Sequence, residues 1–183
     1  MPKWDSFGKN RLVYPAINQN TQEGTFVALD LSSGQVSPLW SAPKRFAALF
    51  ADALGTEDTQ LSADGHTLVT YLSGGDRPPD FYAFNDSLSE SRQITTVDPE
   101  VSKHIYGKTE LVKWNSSEGT PLSGIVVLPV NYVPGRKYPT IVYIYPDGDF
   151  SNLLYGFNAD EIEQVFATRG YAVLLASDRK SVV

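Results

Sequence analysis

The sequence predicts two parts of different fold class in one chain, an antiparallel, blade-like β part followed by an α/β layer. Three observations carry this reading. Short strands broken by small polar and glycine turns fill the chain up to Thr95. After Asp98-Pro99-Glu100 the strand candidates become longer and more apolar. Near the end, a capped helical pattern sits between two apolar strand runs.

In the first part, Leu12-Val13-Tyr14, Thr25 to Leu29 and Gln35 to Leu39 read as strands, and Asp30-Leu31-Ser32-Ser33-Gly34 as a tight reversal between the last two. The result is an antiparallel meander. Phe46 to Leu54 is compatible with a helix or with a strand and a loop. The logic then repeats. Leu61 to Tyr71 places Asp64-Gly65 just before an alternating strand, Arg77-Pro78-Pro79-Asp80 interrupts, Phe81 to Phe84 supplies another strand, and Ser91 to Thr95 closes the unit. Two such strand sets suggest successive blades of a β-propeller, because neither can bury its faces alone.

In the second part the strand candidates are Glu110 to Trp114, Leu122 to Leu128, Thr140 to Tyr145 and Tyr171 to Ala176. Turns are expected at Ser117-Glu118-Gly119 and Pro134-Gly135-Arg136. The β-branched and aromatic run Thr140 to Tyr145 fits a central strand buried on both faces. Asn158 with Glu161 makes a capping box, Ile162, Val165 and Phe166 are predicted to line one helix face, and Gly170 stands at the C-terminal cap. Strand, helix and strand in that order predict a βαβ unit with parallel strands.

Composition narrows the function classes. A net charge of −6, with the fifteen Lys and Arg scattered, builds no phosphate-neutralising surface, so nucleic acid is not an expected partner. With no cysteine, the chain holds neither a disulfide nor a thiolate nucleophile or metal ligand. No apolar run approaches the roughly 18 residues of a membrane span, and Met1 to Tyr14 has no signal-peptide core. The composition is that of a soluble globular chain, and either a cytoplasmic or a periplasmic or secreted location is open.

The motifs Leu61-Ser62-Ala63-Asp64-Gly65, Arg77-Pro78-Pro79-Asp80-Phe81-Tyr82, Arg92-Gln93-Ile94-Thr95, Leu122-Ser123-Gly124, Leu128-Pro129, Lys137-Tyr138-Pro139 and Ala167-Thr168-Arg169-Gly170-Tyr171-Ala172-Val173 follow one another in a recognisable order. Together, over about Leu61 to Leu175, they resemble the propeller-to-hydrolase junction of the prolyl oligopeptidase family, which includes dipeptidyl peptidases and acylaminoacyl peptidases. The resemblance implies C-terminal blades of a β-propeller in residues 1–103 and the N-terminal portion of an α/β-hydrolase domain in 104–177. Residues 178–183, Asp178-Arg179-Lys180-Ser181-Val182-Val183, read in one frame as a common sequencing adapter and are expected to be a non-native tail.

The resemblance further implies Ser-His-Asp acyl transfer on a peptide or small acylated substrate. No Gly-x-Ser-x-Gly elbow occurs in the sequence, so the chain is expected to be a fragment whose nucleophile, acid and base lie beyond it. An esterase or acylaminoacyl hydrolase of the same architecture is one alternative, and a non-catalytic, peptide-binding propeller protein is another. The fragment itself is expected to be inactive. No metal or organic cofactor is implied, and the oligomeric state is not specified.

Tyr145 is the candidate catalytic residue. It matches the family tyrosine that donates to the oxyanion, at a strand end beside the elbow, where a phenolic hydroxyl can donate without changing its protonation. The alternative is a packing aromatic like Tyr143, whose side chain is expected on the opposite face. His66 reads as a turn residue and His104 as a linker residue, with no metal-ligand spacing between them. Asp147-Gly148-Asp149 departs from the glycine-rich loop that family members carry there and reads as a crevice loop rather than as acid-base carboxylates.

Overall fold

A computed structural model describes residues 10–46, 59–75, 77–145, 150, 153–157 and 162–177, apart from the side chains of Ser102, Tyr145 and Ile162. The chain forms two compact units, Met1–Gly74 with Pro79–Pro99, and Gly75–Pro78 with Glu100–Val183. The described residues make three sheets and one helix.

In the first unit, β1 (Arg11–Ile17), β2 (Gly24–Asp30) and β3 (Val36–Ala42) form the predicted meander, with β2 central and both pairings antiparallel. The reversal between β2 and β3 is built on the Asp30 carboxylate, which accepts from the Ser32 and Ser33 amides at 2.9 and 2.8 Å and from Ser33 Oγ at 3.0 Å. The second sheet contains β4 (Arg45–Phe46), β5 (Gln60–Leu61), β6 (Leu68–Gly74), β7 (Arg77–Phe84) and β8 (Ser91–Gln93). Asp64 organises the turn into β6, accepting from Ser62 Oγ at 2.5 Å and the His66 amide at 3.1 Å.

The sequence expectation for Pro78 and Pro79 needs correction: both lie inside β7 rather than breaking it. Their lack of an N–H is tolerated because β8 pairs only with Tyr82, Ala83 and Phe84, so on that side no ladder reaches the prolines. Of the ambiguous stretch Phe46 to Leu54, Phe46 is strand and the rest lies outside the described residues. The core of the unit joins its two sheets. Phe26 and Phe84 are fully buried with edge-on rings 5.1 Å apart, and Phe46, Val13, Leu68, Leu72 and Leu88 surround them.

In the second unit, β9 (Thr109–Asn115), β10 (Pro121–Val127), β11 (Thr140–Tyr145) and β12 (Ala172–Ser177) form a sheet in the order β11-β12-β10-β9. The helix α1 (Ile162–Ala167) lies between β11 and β12 in sequence, and those strands pair in parallel, as predicted for a βαβ unit. Ile125, Val127, Val173 and Leu175 are buried with Ala167 and Leu154, and Ile141, Phe150 and Phe166 pack on that cluster. This is the covered face of the sheet.

Two expectations fail here. Among the described residues β11 lies at the edge of the sheet, with Val142 and Ile144 54% and 64% exposed, and the interior place belongs to β12. A β-branched run records that a strand can be buried, whereas its place in the sheet is set by tertiary pairing. The helix also buries a different face. Glu163 and Ala167 are buried and Val165 is exposed, so the predicted stripe of Ile162, Val165 and Phe166 is rotated. The Asn158 to Glu161 capping box lies outside the described residues. The other helix end is as read. Gly170 takes φ +86°, its amide donates to Ala167 O at 3.2 Å, and the Tyr171 amide reaches back to Phe166 O at 3.1 Å. This double bond pattern, with Tyr171 packed edge-on against Phe166, closes the helix and turns the chain into β12.

Candidate functional site

Parallel strands with helical crossovers gather ligands outside their carboxyl ends. In this chain those ends are Tyr145 on β11 and Ser177 on β12, which are register partners. Ser177 is buried, and its Oγ accepts from the Phe150 amide at 2.9 Å, which fixes where the chain returns after β11. Phe150 then meets the Tyr143 ring edge-on at 5.7 Å. The result is a short shelf at the strand ends built from Tyr143, Phe150 and Ser177.

Tyr145 ends β11 at this shelf, and its side chain lies outside the described residues. The opposite-face expectation for Tyr143 is wrong. Strand alternation has a period of two, so position 143 shares a face with 141 and 145, and Ile144 occupies the other. The ladder agrees, because Ile141 and Tyr143 pair with the buried Val173 and Leu175. Asp147, Gly148 and Asp149 lie outside the described residues.

The two histidines fall in different units. His66 is exposed in the β5–β6 turn of the first unit, with Nδ1 3.7 Å from Asp86 Oδ2. His104 is exposed in the second unit, and its amide closes a 3-10 turn (Val101–Lys103) onto Val101 O at 3.1 Å. Among the described residues no group of three or more His, Cys, Asp or Glu side chains could hold a metal ion. No described helix is long and apolar enough to cross a membrane.

Two cavities are of interest by size. One of about 370 Å³ opens among the turns of the first unit, lined by Arg11, Leu39, Asp64, His66, Asp86 and Ser87. A second, of about 20 Å³, lies on the covered face beside Ile125, Val127, Leu153, Glu163 and Leu175. It has room for about one water molecule and none for a substrate.

Sequence reading missed Ser177, because it ended the last strand at Ala176. The parallel register, which pairs Thr140 with Ala172 and so carries Tyr145 onto Ser177, is set by the sheet and not by the local sequence. Ser177 is here an orienting residue, since its hydroxyl is committed to the Phe150 amide.

Comparison with known proteins gives a consistent picture. No family model matches the chain. An uncharacterized peptidase of Bacillus subtilis, YuxL, is 25% identical over 121 residues, covering 66% of this chain and 18% of that protein. Among solved structures, the AtxE2 isopeptidase in its apo form aligns over 94% of this chain and 24% of its own, with a TM-score of 0.68 and 17% identity. Dipeptidyl peptidase 4 of Porphyromonas gingivalis covers 91% of this chain and 22% of its own, at 0.63 and 16%. An acylaminoacyl peptidase of Pyrococcus horikoshii covers 92% and 26%, at 0.56 and 17%. The chain thus spans about a fifth of the curated relative and about a quarter of the solved structures it matches. Its three sheets and short helix broadly match the propeller and α/β-hydrolase architecture of these proteins, although the described residues close neither a propeller nor a full hydrolase sheet. In structure, and weakly in sequence, the chain is similar to serine peptidases of the prolyl oligopeptidase family.

Proposed function

We propose that this chain is the junction between the propeller and hydrolase parts of a serine peptidase that cleaves peptide bonds by acyl transfer. Residues 1–103 are the last blades and 104–177 the start of the hydrolase domain, with the nucleophile, acid and base supplied by sequence outside the chain. The observation that carries the reading is the succession of antiparallel sheets and then the parallel β11–α1–β12 unit, shared over 94% of the chain with a solved isopeptidase. The absence of any Gly-x-Ser-x-Gly sequence supports a triad located elsewhere.

Tyr145 is the residue of this chain that contributes to the chemistry. Its backbone ends a parallel strand beside Ser177, where reacting groups gather in such sheets. A phenol held there donates a hydrogen bond to the carbonyl oxygen as negative charge builds on it. Ser177 accepts the Phe150 amide and so fixes Phe150 beside the strand end.

The test is expression of the full reading frame from the source locus. The complete protein is expected to hydrolyse aminoacyl-arylamides, to lose that activity when the elbow serine is replaced by alanine, and the 183-residue chain alone to give no turnover. A full reading frame without an elbow, or serine-inhibitor-sensitive turnover by the short chain, overturns the proposal. Similarity to an acylaminoacyl peptidase favours a second reading, in which the amino end of the substrate is acylated. Preference for N-acylated over free aminoacyl-arylamides separates the two.

A further inference from the structure

Residues 91–100 are exposed along their whole length and carry regular structure only at β8 and in the turn at their end, yet the start of this connector is tied down. The tie is Asp80 on β7, only 5% exposed. Its Oδ1 accepts from Thr95 Oγ1 in a short hydrogen bond and from the Phe81 amide at 3.1 Å. Its Oδ2 accepts from Gln93 Nε2 at 2.8 Å and from the Val97 amide at 3.4 Å. A carboxylate offers about four acceptor sites, and all are engaged by donors from β7 and the connector.

The contacts continue inward. Gln93 Nε2 also donates to Thr95 O at 2.9 Å, and Gln93 Oε1 accepts from the Tyr82 hydroxyl at 3.1 Å. That hydroxyl in turn accepts from Lys44 Nζ at 2.9 Å, on the segment that leads from β3 into β4. The β7–β8 ladder accounts for none of this, because it stops at the Tyr82–Gln93 pair and is prolonged only by the Ile94 amide on Phe81 O at 2.9 Å. Beyond that point side-chain chemistry replaces the sheet.

We propose that Asp80 is a positioning residue that fixes the path of the connector as far as Val97, and so sets where the chain leaves the first unit on its way to Glu100. A carboxylate fits this set as it stands. Every group converging on it donates, and an Asn at this position would turn an amide N–H₂ toward the Gln93 amide, or would force the Thr95 hydroxyl, which already accepts from the Phe81 amide at 3.1 Å, to change from donor to acceptor. The inference is independent of the catalytic reading above and fails or stands separately from it.

Hydrogen exchange on the 183-residue chain tests it, comparing D80N and T95V with the control D86N, whose carboxylate is exposed in the β7–β8 turn. Loss of a charge-assisted bond predicts exchange faster by roughly tenfold or more at the Ile94 and Val97 amides in both variants, with the amides of Phe26 and Ala28 in β2 and all sites in D86N unchanged. Unchanged protection at Val97 in both variants overturns the proposal, as does uniform acceleration that includes β2, which is the mark of a general stabiliser. T95V leaves the carboxylate in place and nearly preserves side-chain volume, so it decides the matter even if D80N does not fold.

Discussion

One side chain, Gln164 on α1, holds both backbone groups of Gly107: Oε1 accepts from the Gly107 amide at 2.8 Å and Nε2 donates to its carbonyl at 3.3 Å. The residues lie 57 positions apart, so this clasp fastens the segment that enters β9 to the helix that precedes β12. A Cβ at position 107 would strike the Leu128 carbonyl and come within 2.8 Å of Ala167 Cβ. Both obstacles are rigid. Gly107→Ala is therefore expected to cost about 1–3 kcal/mol as an overpacking change, and Gln164→Ala about 1–3 kcal/mol through the unpaired Gly107 groups. Chemical denaturation of each variant measures this, and wild-type midpoints in both would remove the clasp from the account.

The first unit depends on its aromatic centre. Phe26 is fully buried and meets Phe84 and Phe46 edge-on at 5.1 and 5.0 Å. Phe26→Ala is expected to cost about 3–5 kcal/mol, a large part of the stability of a domain of ordinary size. Val36, 55% exposed on β3, supplies the comparison, with a change within about 0.5 kcal/mol on replacement by Ala. Equal effects at the two positions would show that the two sheets do not share the core described.

Asp30 predicts a pH dependence whose sign can be worked out. Hydrogen bonds from the Ser33 amide, the Ser33 hydroxyl and the Ser32 amide favour the charged carboxylate and hold its pKa below the ordinary value of 3.8. A group with a depressed folded pKa adds stability that is present above the unfolded value and is lost as pH falls through the folded one. The Asp30 resonance should therefore titrate below 3.8, and D30N should flatten the acid side of the stability profile. A titration midpoint at or above the ordinary value would contradict the turn geometry.

Under the proposed function, Tyr145→Phe in the complete protein is expected to lower kcat by about a hundredfold to a thousandfold with little change in KM, the signature of a donor used mainly in the transition state. Tyr143→Phe is the hydroxyl control. It shares the face of position 145, but its ring is packed edge-on against Phe150. Small effects at both would leave Tyr145 a packing residue.

The exposed flank of β11 makes a prediction about solution behaviour. Val142 and Ile144 stand on β11, which among the described residues pairs on one side only, an arrangement that invites strand addition and dye binding. The 183-residue chain is expected to bind a hydrophobic dye and to self-associate, and I144K to reduce both. A monomeric, dye-silent wild-type chain would contradict this.

The sequence was most legible where local chemistry decides the backbone. The Asp30 and Asp64 turns, the Gly170 helix stop and the existence of β9 to β12 follow from residues that act on neighbours a few positions away, with β11 read to its exact limits. What it concealed depends on distant partners. The edge place of β11, the inward turn of Glu163 with Val165 outward, and the passage of Pro78 and Pro79 through β7 are decided by which strands arrive beside them. For the site, the strand end at Tyr145 was readable from its apolar run, whereas the hold of Ser177 on the Phe150 amide required the parallel register.

That register also sets a timetable for synthesis. β1 to β3 pair with their neighbours in sequence, so the first sheet can form as soon as it has left the ribosome. The sheet of the second unit cannot be completed so early, because β10 and β11 both pair with β12, the last described strand to emerge. About 50 residues separate the end of β10 at Val127 from the end of β12 at Ser177, which at about 5–20 residues per second is roughly 3–10 s of translation. During that interval the apolar strands Pro121–Val127 and Thr140–Tyr145 have no central partner. The nascent chain is most vulnerable to mispairing and to chaperone capture in this window, and a pause in translation shortly after codon 127 would lengthen it.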